Sequence, residues 1–393
     1  MKKTLAAVAV LGAFAGSALA ADVQLYGIVD LGVGYNHVDV DGLGDKQDID
    51  TFQMKSGQAS GSRWGIKGTE DLGNGLTVGF ILEDGFDADT GSEDKTKVMF
   101  NRESSLFIEG GFGKLAMGRM GSINNGQSSW AKVGMINAFG TSDWGDYSVQ
   151  VGNVMATAAQ WDNMVAYQTP DFAGFKVYAQ YGMGNTVTGY DSVENESSSD
   201  RYYALGATYN NGPFAAYFAV DSINYASWSN GTTKAPNDVD DSLTVTLGGS
   251  YDFEVVKVYL GAQYFDEVKL SKLNGVVNAI DGVVDTTGTP DKVKGYGITL
   301  TGDAPLWGGK AMFGIGYTDA ESADSYEDAN VDGSIDLQRY VVSVGYDYPF
   351  SKRTDVYAVA SYMQDSWERK SGATKVEGDP SAYTLYVGLR HRF

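Results

Sequence analysis

Residues 381–393, SAYTLYVGLRHRF, close the chain. Tyr383, Leu385, Val387, Leu389, His391 and Phe393 occupy every second position, and Thr384, Tyr386, Gly388, Arg390 and Arg392 lie between them. Successive side chains of a strand point to opposite sides, so this period predicts a strand with one oily face and one wet face. Its unpaired edge needs another strand to cover it.

The same alternation recurs along the chain. In 242–251, SLTVTLGGSY, Leu243, Val245, Leu247 and Tyr251 oppose Ser242, Thr244, Thr246 and Ser250. In 339–348, RYVVSVGYDY, Tyr340, Val342, Val344, Tyr346 and Tyr348 oppose Arg339, Val341, Ser343, Gly345 and Asp347. Near the start, Leu25, Val29, Leu31, Val33 and Tyr35 oppose Tyr26, Asp30 and Asn36. These runs reach about ten residues, the length a tilted strand needs to cross a bilayer. Strands in soluble sandwiches are nearer five or six residues.

Composition agrees. Glycine at 51 and tyrosine at 25, against 7 prolines, suits long strands joined by tight turns. The absence of cysteine excludes a disulfide framework and cysteine-ligated metal. Residues 1–20, MKKTLAAVAVLGAFAGSALA, read as a secretory signal peptide: two lysines, an apolar stretch, then Ala18-Leu19-Ala20 before the cut. Losing Lys2 and Lys3 takes the formal charge from −21 to −23, which argues against nucleic-acid binding. No later run of about 18 apolar residues predicts a membrane-spanning helix.

The connections sort by length. Short turns fall at 71–75, 110–113, 170–174, 211–213, 252–254, 305–309 and 349–353. Long polar segments fall at 36–58, 87–97, 121–159, 182–200, 222–240, 266–293, 318–337 and 365–381. Seven short and eight long connections predict an all-β fold of 16 antiparallel strands, with both termini on the short-turn side. Membrane barrels have this asymmetry, and soluble sandwiches have no reason for it. Residues 21–393 therefore read as a single transmembrane β-barrel domain, its last strand paired with its first so that no edge faces lipid.

Several blocks carry a family likeness: ADVQLYGIVDLGVGY (21–35), SRWGIKGTEDLGNGLTVGF (62–80), FNRES (100–104), GFGKLAMGR (111–119), NMVAYQTPDFAGFKVYAQY (163–181) and GLRHRF (388–393). In this order and spacing the chain resembles the general trimeric porins of Gram-negative outer membranes, especially the β-proteobacterial branch. The resemblance implies an outer-membrane homotrimer seated in lipid and lipopolysaccharide, passing small hydrophilic solutes and ions by passive diffusion. It implies no cofactor and no enzymatic activity. It also implies that Phe393 is read by the barrel assembly machinery during biogenesis.

A barrel of 16 strands is too wide for its own side chains to fill, so selectivity rests on whatever narrows it. The longest connection, 121–159, holds Trp130, Met135, Ile136, Phe139 and Trp144, too apolar to extend into water. It is expected to fold into the lumen, like the third loop of the resembling family, with Trp130, Phe139 and Trp144 as anchors. Alternation turns Arg63, Lys67 and Glu83 inward, because a charge on the lipid face would cost about 2–4 kcal/mol at the midplane. By their SRxG and FNR contexts, Arg63 and Arg102 match two positions of the family's arginine ladder. The third ladder position is Gln160 here, and the family's acidic loop element reads Asn137-Ala138-Phe139-Gly140. Asp143 and Asp146 are the acids left on that loop, so the eyelet is less charged than in the family and its ion preference stays open.

Three further segments invite other readings. Arg102, Ser104, Leu106 and Ile108 alternate with Glu103, Ser105, Phe107 and Glu109, and neither set is a lipid face. With Arg102 inside, the second set is expected to meet a neighbouring subunit. Residues 328–339, DANVDGSIDLQR, begin like a calcium loop, but Arg339 stands where a bidentate Glu belongs, so no metal site is assigned. A barrel hydrolase would need a His near the outer rim with partners, and only His37 and His391 exist. Two other functions would use the same barrel. One is a solute-specific channel with Trp130, Trp144, Trp161 or Tyr26 as a stacking surface; the other is a surface adhesin or receptor on a barrel anchor.

Overall fold

A computed structural model describes residues 22–393 apart from 41–47, 96–97, 143, 185–193, 197, 227, 230–234, 237–239, 270–272, 274, 277–291, 325–332 and 372–373. The signal-peptide segment 1–20 lies outside the described residues, as do Asp328, Asn330 and Asp332 of the calcium-like run.

Sixteen antiparallel strands form one closed sheet. The chain enters through β1 (Asp22–Asp39), β2 (Ile49–Ser56, resumed at Arg63–Gly73), β3 (Leu76–Gly85), β4 (Glu103–Gly110) and β5 (Gly113–Gly121). After the longest connection come β6 (Gln160–Gln168), β7 (Phe175–Gly182), β8 (Arg201–Asn211), β9 (Phe214–Asn224), β10 (Leu243–Asp252) and β11 (Lys257–Lys269). The circuit ends with β12 (Lys292–Leu306), β13 (Gly309–Ser322), β14 (Gly333–Pro349), β15 (Thr354–Ser371) and β16 (Thr374–Gly378, resumed at Ser381–Arg392). Each strand pairs with its sequence neighbour, and β16 closes on β1 from Ile28↔Arg392 to Asp39↔Ser381. Phe393 and Gly27 then exchange backbone hydrogen bonds of 3.0 and 3.2 Å. The terminal strand is covered on both sides.

The two faces separate as the period requires. Leu260, Leu300, Ile315, Val342 and Tyr362 face one another across β11 to β15, each between 43% and 55% exposed. A contiguous apolar belt of this kind marks a lipid surface. One position along, Thr301, Ser343 and Ser361 are buried inside the barrel. On β16, Thr384, Tyr386 and Arg390 are likewise buried within, while Leu385, Val387 and Leu389 are about half exposed.

Two expectations need correction. Several of the long polar connections are partly strand: β1 runs on to Asp39 against Ile49–Ser56, and β15 runs to Ser371 against Thr374–Gly378. Above the membrane both faces meet water, so polar residues occupy both and the alternation that announces a strand is lost. Gly333, Asp336 and Arg339 of the calcium-like run also lie in β14, where Arg339 pairs with Asp365 at 2.6 Å.

The fourth strand is the second correction. Register places Glu103, Ser105 and Phe107 opposite Glu83, Ile81 and Gly79, and Ser104, Leu106 and Ile108 opposite Leu82, Phe80 and Val78. Leu106 is exposed on the outer face beside Met117 of β5, so Glu103, Ser105 and Phe107 point inward, opposite to the expectation. Arg102 misled the parity count because it precedes the strand. The chain turns at Phe100 with a positive φ of 55°, and Arg102 reaches the lumen from outside the period.

Candidate pore constriction

The connection after β5 runs back into the barrel. It carries two short turns, a 3-10 turn at Val133–Ile136 and an α turn at Val151–Val154. Its apolar side chains lie against inward faces of the wall, where glycines make room: a Cβ at Gly248 would stand 2.7 Å from Ile136, and one at Gly316 would stand 2.6 Å from Val154. Polar contacts fix the path. Ile123 N–H donates to Gln180 Oε1 (2.7 Å), Ala138 N–H to Thr301 Oγ1 (2.9 Å) and Val149 N–H to Ser343 Oγ (2.8 Å), each acceptor on the wall. Arg339 adds a bond from Nη1 to the Asn153 carbonyl at 2.8 Å.

The three expected anchors are buried. Trp144 packs edge-on against Phe139 (6.2 Å) and against Tyr357 of β15 (5.3 Å), and Trp130 lies under the Lys114 ammonium at 5.6 Å. Trp130, Trp144 and Trp161 are all under 7% exposed, so none of the three is available as a stacking surface for a solute. Tyr26 alone of that set reaches the open lumen.

Between the loop and the wall of β1 to β4 lies a cavity of about 450 Å³. Arg63, Lys67, Arg102 and Glu83, all assigned inward by parity or likeness, converge on it, together with Tyr26 and Glu103. Arg102 Nε donates to Glu83 Oε1 at 2.8 Å, Arg63 Nε stands 3.5 Å from Oε2, and Tyr26 Oη donates to Oε2 at 3.0 Å. Lys67, by contrast, is exposed, its ammonium 5.1 Å from the centre of the Tyr26 ring. Across the cavity Gln127, Ser128, Ser129, Thr141 and Ser142 present polar groups of the loop.

Not every candidate joins this group. Asp146 is drawn to the wall by Lys55 and Asn36, so its charge is matched at once. Gln160 accepts from Lys95 Nζ at 3.2 Å and donates to Gln127, a neutral brace where the ladder has its third cation. Asp143 lies outside the described residues.

Sequence reasoning turned Glu103 toward a neighbouring subunit and gave Lys132, near the loop acids, no role of its own. Glu103 accepts from Ser129 N–H (2.8 Å), Ser129 Oγ (2.9 Å) and Ser105 Oγ (2.8 Å), tying loop to wall. Lys132 Nζ donates to the Ser129 carbonyl at 2.8 Å, and burial, helped by the Lys114 ammonium, pulls its pKa down to about 8. The readable signal for the loop's seat was glycine at alternate inward positions: Gly248 and Gly261 meet Ile136, and Gly314 and Gly316 meet Val149 and Val154.

Comparison with known proteins agrees with this architecture. The family model described as Gram-negative porin matches residues 6–366. An outer membrane porin protein of Bordetella pertussis is 32% identical over 427 residues, covering all of both chains. The solved anion-selective porin of Comamonas acidovorans is 25% identical with a TM-score of 0.65, over 95% of this chain and all of that one. OmpT of Vibrio cholerae, solved in its trimer form, shares the fold at 16% identity and a TM-score of 0.58, over 95% of this chain and all of the other. A closed barrel with a greasy belt, a wet interior and a family match across most of its length admits one assignment: the chain belongs to the Gram-negative porin family, channels of the bacterial outer membrane.

Proposed function

We propose that this porin passes small hydrophilic solutes with a preference for anions, filtered at the cavity between the loop and the β1–β4 wall. The observation that carries the reading is the local charge. Arg63, Lys67 and Arg102 outnumber Glu83 and Glu103 among the described lining residues, in a chain whose formal charge is −21. Acids beyond the screening length of about 8 Å act weakly on an ion at the constriction. The anion selectivity named for the Comamonas porin supports the same sign. Arg63 and Arg102 share the Glu83 carboxylate, which leaves Lys67 as the exposed cation and Tyr26, with the loop hydroxyls, as uncharged hydrogen-bonding lining. Zero-current potential across a planar bilayer under a KCl gradient tests the reading; a cation-selective potential overturns it.

A homotrimer fits the outer surface. Arg119 shares the outward face of β5 with Leu115 and Met117 and pairs with Asp162 at 2.5 Å, next to Ser104 of β4. Charge on a lipid face is costly, and a second subunit would cover it. Analytical ultracentrifugation in detergent, with a mass of one chain, would remove this part of the reading. Cleavage after Ala20, and recognition of Phe393 during assembly, complete the proposed path to the membrane.

A further inference from the structure

β2 is interrupted. Ser56 pairs with Leu31 and Arg63 with Ile28, so the six residues 57–62 stand opposite only Val29 and Asp30 of β1. Four residues are in excess, far more than the single residue of an ordinary bulge, and they bulge into the lumen.

The excursion is tightly held. Asp30, fully buried, accepts on Oδ2 from the N–H groups of Ala59 (2.9 Å) and Ser60 (2.7 Å) and on Oδ1 from Tyr357 Oη (2.5 Å). Arg390, itself anchored by Asp355 and Asp347, donates to the Ala59 carbonyl (3.3 Å) and Ser60 Oγ (2.8 Å). The neck is closed by Gly57 N–H to the Asp30 carbonyl (2.9 Å) and by Ser62 Oγ to the same carbonyl (3.0 Å). A buried carboxylate with three donors and a buried guanidinium make the fixed end of this network.

The other end reaches the constriction. The Gln58 carbonyl accepts from Trp144 N–H (2.6 Å), and Gln58 Oε1 accepts from Gly145 N–H (3.1 Å). Trp144 has a positive φ of 44°, a conformation a bulky residue keeps only when its surroundings enforce it. The Gly61 carbonyl accepts from Arg63 Nη1 at 3.0 Å, and Gly57, Ser60 and Gly61 line the cavity.

We infer that residues 57–62 form a second, rigid rim of the constriction, which seats both the loop tip at Trp144 and the guanidinium of Arg63. Asp30 is its positioning residue, although it meets no solute. This rests on the filter proposed above. Deleting residues 58–61 leaves Gly57 and Ser62 opposite Val29 and Asp30, an unbroken register. The expected result is a folded, heat-modifiable barrel whose conductance rises about twofold and whose zero-current potential shifts. Asp30→Ala should move the potential the same way. Asp30→Asn, which keeps one oxygen for Ala59 and Ser60, should restore it.

Should the deletion fail to fold, Ser60→Cys decides, since the chain contains no other thiol. A charged methanethiosulfonate reagent should then cut its current by about half. Unchanged current after labelling of Ser60→Cys, or a folded deletion variant with wild-type conductance and potential, overturns the inference while leaving the channel intact. A wild-type protein without current would overturn the functional reading instead.

Discussion

Arg102 and Glu83 form the closest ion pair among the described residues of the cavity between the loop and the β1–β4 wall, Nε to Oε1 over 2.8 Å, and the pair sits where the sheet offers Glu83 to Arg63 as well. One carboxylate thus screens two guanidinium groups. Glu83→Gln should release both and make the cavity more positive by one charge, raising anion over cation permeability about twofold. Zero-current potentials of the two proteins in the same KCl gradient measure this; a shift toward cations contradicts the arrangement.

Lys67 is exposed and faces the cavity with an aromatic ring as its neighbour. Lys67→Glu should reduce anion preference at least as much as Arg63→Glu, because the guanidinium of Arg63 is already half matched by Glu83. The double change Arg63→Glu with Arg102→Glu should also move the potential toward cations. Equal potentials in wild type and the Lys67 variant would remove that lysine from the conduction path.

Much of this was legible in the sequence, and for a definite reason. A lipid face tolerates no charge, so Leu243, Val245 and Leu247 fix the direction of their strand and Arg63, Lys67 and Glu83 are forced inward. The closure of Ser381–Arg392 on β1 follows from the same constraint. Parity fails where the backbone leaves the period: Phe100 turns with a positive φ just before Arg102, and the outward face of β4 was mistaken for a lumen face. The excursion 57–62 left no signal, because Gly57, Ala59 and Ser60 gain their roles only from Asp30, Tyr357 and Arg390, the last two more than 290 positions away, and Gln58 gains its role only from Trp144 and Gly145 of the loop. Glu103 was turned outward by that parity error, and its partner Ser129 belongs to a loop whose seat is tertiary.

The loop tip hangs on Trp144, wedged between Phe139 and Tyr357 with its N–H on Gln58. Trp144→Ala removes a buried aromatic worth about 3 kcal/mol of packing. The barrel should still assemble, since the closed strand ladder is independent of that contact. Open-channel current should become noisier and larger, and deletion of 141–146 should enlarge it further. Quiet, wild-type current from Trp144→Ala would show that the loop is held elsewhere.

Phe393 exchanges two backbone bonds with Gly27, and its ring is 47% exposed beside β1. Phe393→Asp keeps the backbone bonds and puts a charge at the lipid boundary. The amount of heat-modifiable barrel in outer-membrane fractions should fall several-fold, while refolding of the purified variant into detergent should fall less. Equal losses in both assays would assign the effect to stability rather than to recognition during assembly.

Lys132 gives the channel a titration near physiological pH. Its ammonium is held against the Ser129 carbonyl, over the Tyr178 ring at 5.6 Å, with Glu103, Lys114 and Lys176 as the charged groups around it. Burial and the Lys114 charge disfavour the protonated form and bring its pKa to about 8. The sign follows directly. About nine-tenths of the channels carry the charge at pH 7 and about one-tenth at pH 9, so anion preference should fall as pH rises through this window. Lys132→Gln should abolish the step and start from the lower preference. Lys132→Arg should also abolish it, but hold the higher preference throughout, because a guanidinium stays protonated. A pH profile identical in all three proteins would place the titrating group elsewhere; a profile rising with pH in the wild type would contradict the assignment of a lysine.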